Sequence, residues 1–138
     1  MATTTATLTL SSGDLTGDAL ALSTTATLTK AGTLTGMDQT TGVSRIVIPA
    51  ASTTKIIADA DDYASGPAKS HKIYVKMLST VATEYVTLSV DSQEVGRLYA
   101  GDFAFIPFSN SDGTHDVKVA TPSGQTDTSV EYIVIHQA

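Results

Sequence analysis

The side chains best equipped for chemistry in this chain are few and scattered. There are three histidines, His71, His115 and His136. No two fall at the H-x-x-x-H or H-E-x-x-H spacing that places two imidazoles on one metal ion. They read as ordinary surface or edge histidines. Asp59, Asp61 and Asp62 could offer oxygens to a Ca²⁺ ion, but the glycine and distal glutamate of an EF-hand loop do not follow at the required offsets. Solvated loop carboxylates are the expectation there. Glu84, Glu94 and Glu131 could in principle pair as glycosidase carboxylates, yet all lie at strand starts or on polar faces. The serines sit in Thr/Ser-rich turns, and no G-x-S-x-G elbow is present. The chain has no cysteine, which removes thiolate nucleophiles, disulfides and thiolate metal sites. The expectation is a protein that is not an enzyme, with no catalytic residue, no cofactor and no metal.

The aromatic residues form the one remaining cluster. Tyr99, Phe103, Phe105 and Phe108 could make a strip on which a sugar stacks. Phe103 and Phe105, at i and i+2, share one face of a strand and are predicted to anchor the core. The chain has no tryptophan, the side chain most suited to a sugar platform.

The elements that must position these groups are β-strands. Across 138 residues the net charge is −6, and only 16 % of residues are charged. An acidic balance argues against nucleic acid, whose binders carry a basic patch, and against an anionic membrane surface. No apolar run approaches the roughly 18 residues of a membrane helix. The start of the sequence lacks a basic stretch followed by an apolar one, so no signal peptide is expected.

A Thr-rich unit occurs twice near the start. Thr5-Ala6-Thr7-Leu8-Thr9-Leu10 leads into Gly13 to Gly17, and Thr25-Ala26-Thr27-Leu28-Thr29-Lys30 leads into Gly32 to Gly36. Alternation of apolar residues with β-branched ones predicts strands, and the glycines predict turns. Asp18 to Leu22 alternates as well, though its Ala and Leu also suit a helical turn. Residues 1–42 are one-third Thr and poor in large apolar side chains, whereas residues 71–138 are much richer. The division predicted is an arm over 1–42, connecting strands and an acidic loop over 43–70, and a self-sufficient body over 71–138. In the body, residues 71–77, 85–90, 94–99, 103–106, 115–119 and 130–135 alternate as strands. Turns fall at 91–93, 100–102, 110–113 and 122–124, and the 103–106 strand is expected to end at Pro107. The last run is apolar on both faces, which predicts a central strand or one covered by the arm. The fold class expected is all-β: an antiparallel, jelly-roll-like β-sandwich with an extended Thr-rich β arm.

Two passages resemble a known family. AGTLTGMDQTTG over 31–42, followed by VSRIVI over 43–48, resembles a passage of small virion structural proteins of tailed phages, especially those infecting cyanobacteria. GRLYAGDFAFIP over 96–107 is similar to a turn-and-strand element of phage β-sandwich head proteins. The resemblance implies a capsid decoration, or cement, protein on the virion surface, made in the host cytoplasm. Its implied partners are the major capsid protein or other virion subunits, and further copies of itself, with a trimer favoured. The family has no catalytic residues to carry over. The residues expected to meet a partner are Thr5, Thr7, Leu8, Leu10, Thr25, Thr27, Leu28 and Leu34 of the arm. A tail, baseplate or head-fibre component is the nearest alternative. A host-surface or glycan-binding adhesin is the alternative of another class.

Overall fold

The computed structural model describes residues 3–14, 17, 19–50, 54–63, 69–108 and 115–138. The Thr-rich unit builds a long hairpin. Strand β1 (Thr5–Ser12) pairs antiparallel with β2 (Leu20–Thr27), from Thr5 opposite Thr27 to Ser12 opposite Leu20. The two Thr-Ala-Thr triplets of the repeat therefore lie across from each other. Period two divides the hairpin into unlike faces. One carries Ala6, Leu8 and Leu10 opposite Ala26, Thr24 and Leu22, with Leu20 beyond them. The other carries hydroxyls, and the Thr7 and Thr25 oxygens lie 2.8 Å apart across it. These two strands form a sheet of their own.

The second glycine-bounded segment is a tight reversal. Thr29 bridges Gly36, and the Lys30 N–H donates to the Thr35 carbonyl at 2.8 Å. Gly32 takes φ 69°, a left-handed conformation that a side chain would strain.

The body is an antiparallel β-sandwich. Its remaining strands are β3 (Gln39–Thr40), β4 (Ser44–Ile48), β5 (Thr54–Ala58), β6 (His71–Met77), β7 (Tyr85–Val90), β8 (Gln93–Tyr99), β9 (Phe103–Phe108), β10 (Val117–Ala120) and β11 (Thr128–His136). One sheet has the order β5-β10-β7-β8. In the other, β3 and β4 share one edge of β11, and β6 then β9 follow on its other side. Apart from the β7–β8 hairpin, successive strands from β4 to β11 switch sheets. That alternation gives the sandwich its jelly-roll-like path. Residues 43–58 thus supply a strand to each sheet, and Ile48, Ile57 and Ala58 from that stretch are buried in the core.

The core forms where the alternating faces meet. Ile73, Val75 and Met77 of β6, with Val130 and Val134 of β11, oppose Val86 and Leu88 of β7 and Val117 and Val119 of β10. Thr121 and Thr128 are also buried, and their hydroxyls bond each other at 2.5 Å. This pairing offsets the cost of placing polar groups in an apolar layer.

Three sequence expectations are corrected. His71 is not a surface or edge residue but is fully buried, because it has the same parity on β6 as Ile73 and Val75. It packs against Phe108 and Tyr63, with ring centroids 5.4 and 5.7 Å away. Phe103 and Phe105 are not core anchors. Ala104, Ile106 and Phe108 take the inner side of β9, which turns Phe103 and Phe105 outward at 55 % and 38 % exposure. The strand also runs past Pro107 to Phe108. Among the described residues β9 bonds only to β6 and is an edge, where the missing proline N–H costs no ladder bond. The expected turn at 110–113 lies outside the described residues.

Candidate docking surface

The outer face of the five-stranded sheet is set by β6, β9 and β11. Their register places Ile133, Tyr74 and Phe105 in one row across the strands. Ile135, Lys72 and Pro107 form the next row, and Glu131, Lys76 and Phe103 the row on the other side. The Tyr74 and Phe103 rings are 6.2 Å apart. Burial pushes the Tyr74 hydroxyl above its usual range, with Glu131 adding to the effect. Burial also lowers the Lys72 ammonium, which donates to the Ser70 hydroxyl at 2.7 Å.

The β1–β2 hairpin stands over this face without closing on it. Between them runs an apolar groove of about 630 Å³. Ala6, Leu8, Thr24 and Ala26 line one side, and Tyr74, Phe103, Phe105 and Ile135 the other. Leu10, Leu20 and Leu22 continue the hairpin's apolar face beyond the groove lining. These three and Leu8 are between 39 % and 44 % exposed. A two-stranded ribbon with an uncovered apolar face is marginal by itself in water. The hairpin's base, in contrast, is tied down. Met37 is fully buried, its N–H donates to the Leu28 carbonyl at 2.8 Å, and the Thr4 hydroxyl donates to the Met37 carbonyl at 2.9 Å. The Gln137 side-chain oxygen accepts from the Ala31 N–H at 3.2 Å and from the Ser70 N–H at 3.3 Å, joining the reversal to the body.

The residues expected to meet a partner fall into three groups. Leu8 and Leu10 lie on the exposed apolar face. Thr5, Thr7, Thr25 and Thr27 lie on the hydroxyl face. Leu34 is 95 % exposed at the tip of the reversal, whereas Leu28 is 6 % exposed and is covered by the chain itself. Leu20, Leu22, Tyr74, Phe103 and Phe105 extend the same surface and were missed by sequence reasoning. Parity could have supplied the two leucines. The aromatic wall needed the pairing of β6 with β9.

The scattered ionisable groups take structural places. The Asp59 carboxylate accepts from the Asp61 N–H at 3.0 Å and caps a 3₁₀ turn over Ala60–Asp62. Glu84 is bonded by the Ser79 and Thr126 hydroxyls, which hold its carboxyl below the usual range. Glu131 pairs with Arg45 at 2.9 Å on the five-stranded sheet, and Glu94 lies 3.7 Å from Arg97 on the other sheet. Among the described residues no group of three or more His, Cys, Asp or Glu side chains is arranged to hold a metal ion.

No protein-family model matches the chain, and no curated protein does. Among solved structures the chain is similar to a cupin protein from Bacteroides fragilis, at 16 % identity and a TM-score of 0.39. The match covers 68 % of this chain and 64 % of that one, so the chain spans a little under two thirds of that structure's length. A likeness at this distance transfers neither ligand nor activity.

Proposed function

We propose that this chain is a non-enzymatic structural protein of a phage virion. In this reading it is a decoration, or cement, protein that binds the outside of the head and stabilises contacts between shell subunits. The observation that carries the reading is the hairpin: two eight-residue strands, anchored at the base and uncovered along an apolar face. Among the described residues neither outer edge of this ribbon is paired, and no charged residue occurs in either strand. Unpaired, uncharged edges invite strand addition from a neighbour, and little charge has to be desolvated on docking. Weak contacts of this kind gain strength by repetition over a symmetric shell. The resemblance of residues 31–48 to small virion structural proteins of tailed phages, and of 96–107 to phage β-sandwich head proteins, supports the same reading.

The test is binding to purified phage heads by a chain lacking residues 2–27. The expected result is a folded body, with its β circular-dichroism signal kept, that no longer co-sediments with heads. Undiminished co-sedimentation would overturn the proposal. Copy number per particle, from a quantitative gel, separates a decoration protein from a tail, baseplate or head-fibre component. The exposure of Phe103 and Phe105 favours a second reading, a glycan-binding adhesin. Saturable binding on a glycan array, abolished by Phe103→Ala, would support that reading instead.

A further inference from the structure

The hairpin and the groove beneath it belong to one chain, yet neither satisfies the other. The hairpin base forms one wall of the groove, and the groove is left open. The half of the hairpin carrying Leu10, Leu20 and Leu22 lies beyond the groove lining, and among the described residues these leucines stay about two-fifths exposed. We propose that the groove and its aromatic wall receive the leucine face of the β1–β2 hairpin from a second copy of this chain.

Charge favours this occupant. Each copy carries a net charge of −6, so two copies repel over most of their surfaces. The hairpin strands are an exception, being uncharged. The hairpin tip adds Asp14, and the floor of the receiving face carries Lys72 and Lys76 with one carboxylate, Glu131, which Arg45 pairs. Lys72 and Lys76 flank Tyr74 along β6, so an incoming tip brings negative charge toward one ammonium group while its leucines meet Tyr74, Phe103 and Phe105.

Size also fits. Eight-residue strands are about 27 Å long, and a pair of them is about 10 Å wide. Covering one such face removes on the order of 500 Å² from water, counting both partners, and a copy that both gives and receives takes part in two such contacts. When two copies exchange hairpins both contacts join the same pair, and their total of about 1,000 Å² reaches the lower bound for a specific interface. The edge of β9 is blunted by Pro107, so the mode favoured here is packing on the sheet face rather than extension of the sheet. Closure at two copies places both contacts in one interface, whereas closure at three leaves about 500 Å² between each pair.

The purified full-length chain, with no phage heads present, tests this directly. Light scattering on a sizing column at tens of micromolar is expected to give a dimer or trimer. Leu10→Asp with Leu22→Asp, and separately Phe105→Asp, are each expected to shift it to monomer with the β signal unchanged. Because the native chain has no cysteine, Leu22→Cys and Phe105→Cys chains can be mixed and oxidised. A mixed disulfide dimer well above the level for a Leu22→Cys and Val95→Cys mixture is expected. A monomeric wild type, or an oligomer without that mixed crosslink, would overturn the proposal. Since heads are absent from the assay, failure here leaves capsid binding untouched, and the converse holds as well.

Discussion

The hairpin and the sandwich obey the same alternation but put it to opposite use. In β6 the inward residues are all fully buried, Ile73, Val75 and Met77 by the facing sheet and His71 against Tyr63 and Phe108. In β1 and β2 the equivalent residues, Leu8, Leu10, Leu20 and Leu22, remain about two-fifths exposed. The difference lies in what stands opposite. Period two creates a sided strand, but a stable layer needs a second sided surface. The sandwich contains both of its surfaces, and the hairpin carries one and leaves the other to a neighbour.

Hydrogen exchange should separate the two regions most widely. Amides of β6 and β11 are expected to exchange only through global unfolding, while those of β1 and β2 exchange orders of magnitude faster in dilute monomer. Equal protection in both regions would break the comparison. Truncation comes next. Ile73→Ala is expected to cost about 2–5 kcal/mol in urea unfolding, the range for emptying a packed core site. Met37→Ala is expected near the lower end of that range, about 2 kcal/mol, since Met37 ties the arm to the body at full burial. A negligible loss would mean that the arm's base is not part of the cooperative unit.

Acid sharpens the comparison further. The Ala60 N–H, donating at 2.9 Å, holds the Asp116 carboxyl below its usual range, with burial opposing and Lys118 assisting. Glu84 is lowered by its two hydroxyl donors. A carboxyl with a depressed folded value stabilises the fold above its unfolded value of about 4 and loses that contribution as pH falls through the folded value. Midpoints from pH 6 down to 2 should therefore fall on the acid side, and Asp116→Asn should make that limb shallower. The smallest effect is expected on the hairpin. Leu22→Ala should change monomer stability by no more than about 0.5 kcal/mol, so a loss of 2 kcal/mol there would show that the leucine face is already packed.

The strands of the body were legible because each shows clean alternation bounded by Gly, Pro or Asp. Residues 71–77 and 85–90 point inward as their patterns require. Where both faces were apolar, the pattern could not choose. Phe103 and Phe105 outrank Ala104 in size, but pairing with β6 assigned Ala104, Ile106 and Phe108 to the inside. The last run, 130–135, is central, as the first of its two alternatives had it: β11 lies between β4 and β6, while its outer Ile135 lines a groove that the hairpin leaves open. His71 was misjudged for a different reason. Its polarity outweighed its parity with Ile73, two residues on. Of the docking surface, Leu8 and Leu10 were legible from the repeat. Leu20 and Leu22 were obscured because Asp18 to Leu22 also fits a helical turn. The burial of Leu28 arises from contacts that no local pattern carries.

The position of β11 in the chain also governs how this molecule can be born. It is the strand against which β3, β4 and β6 all assemble, yet it is translated after every one of them. On the ribosome, the hairpin can zip up from neighbouring residues within microseconds, while β3 and β4 must wait for a partner still to be synthesised and β6 can meet only β9 before then. Until about residue 136 has emerged, the nascent polypeptide holds greasy, unmatched segments in reserve, which makes folding late, slow and dependent on distant pairings.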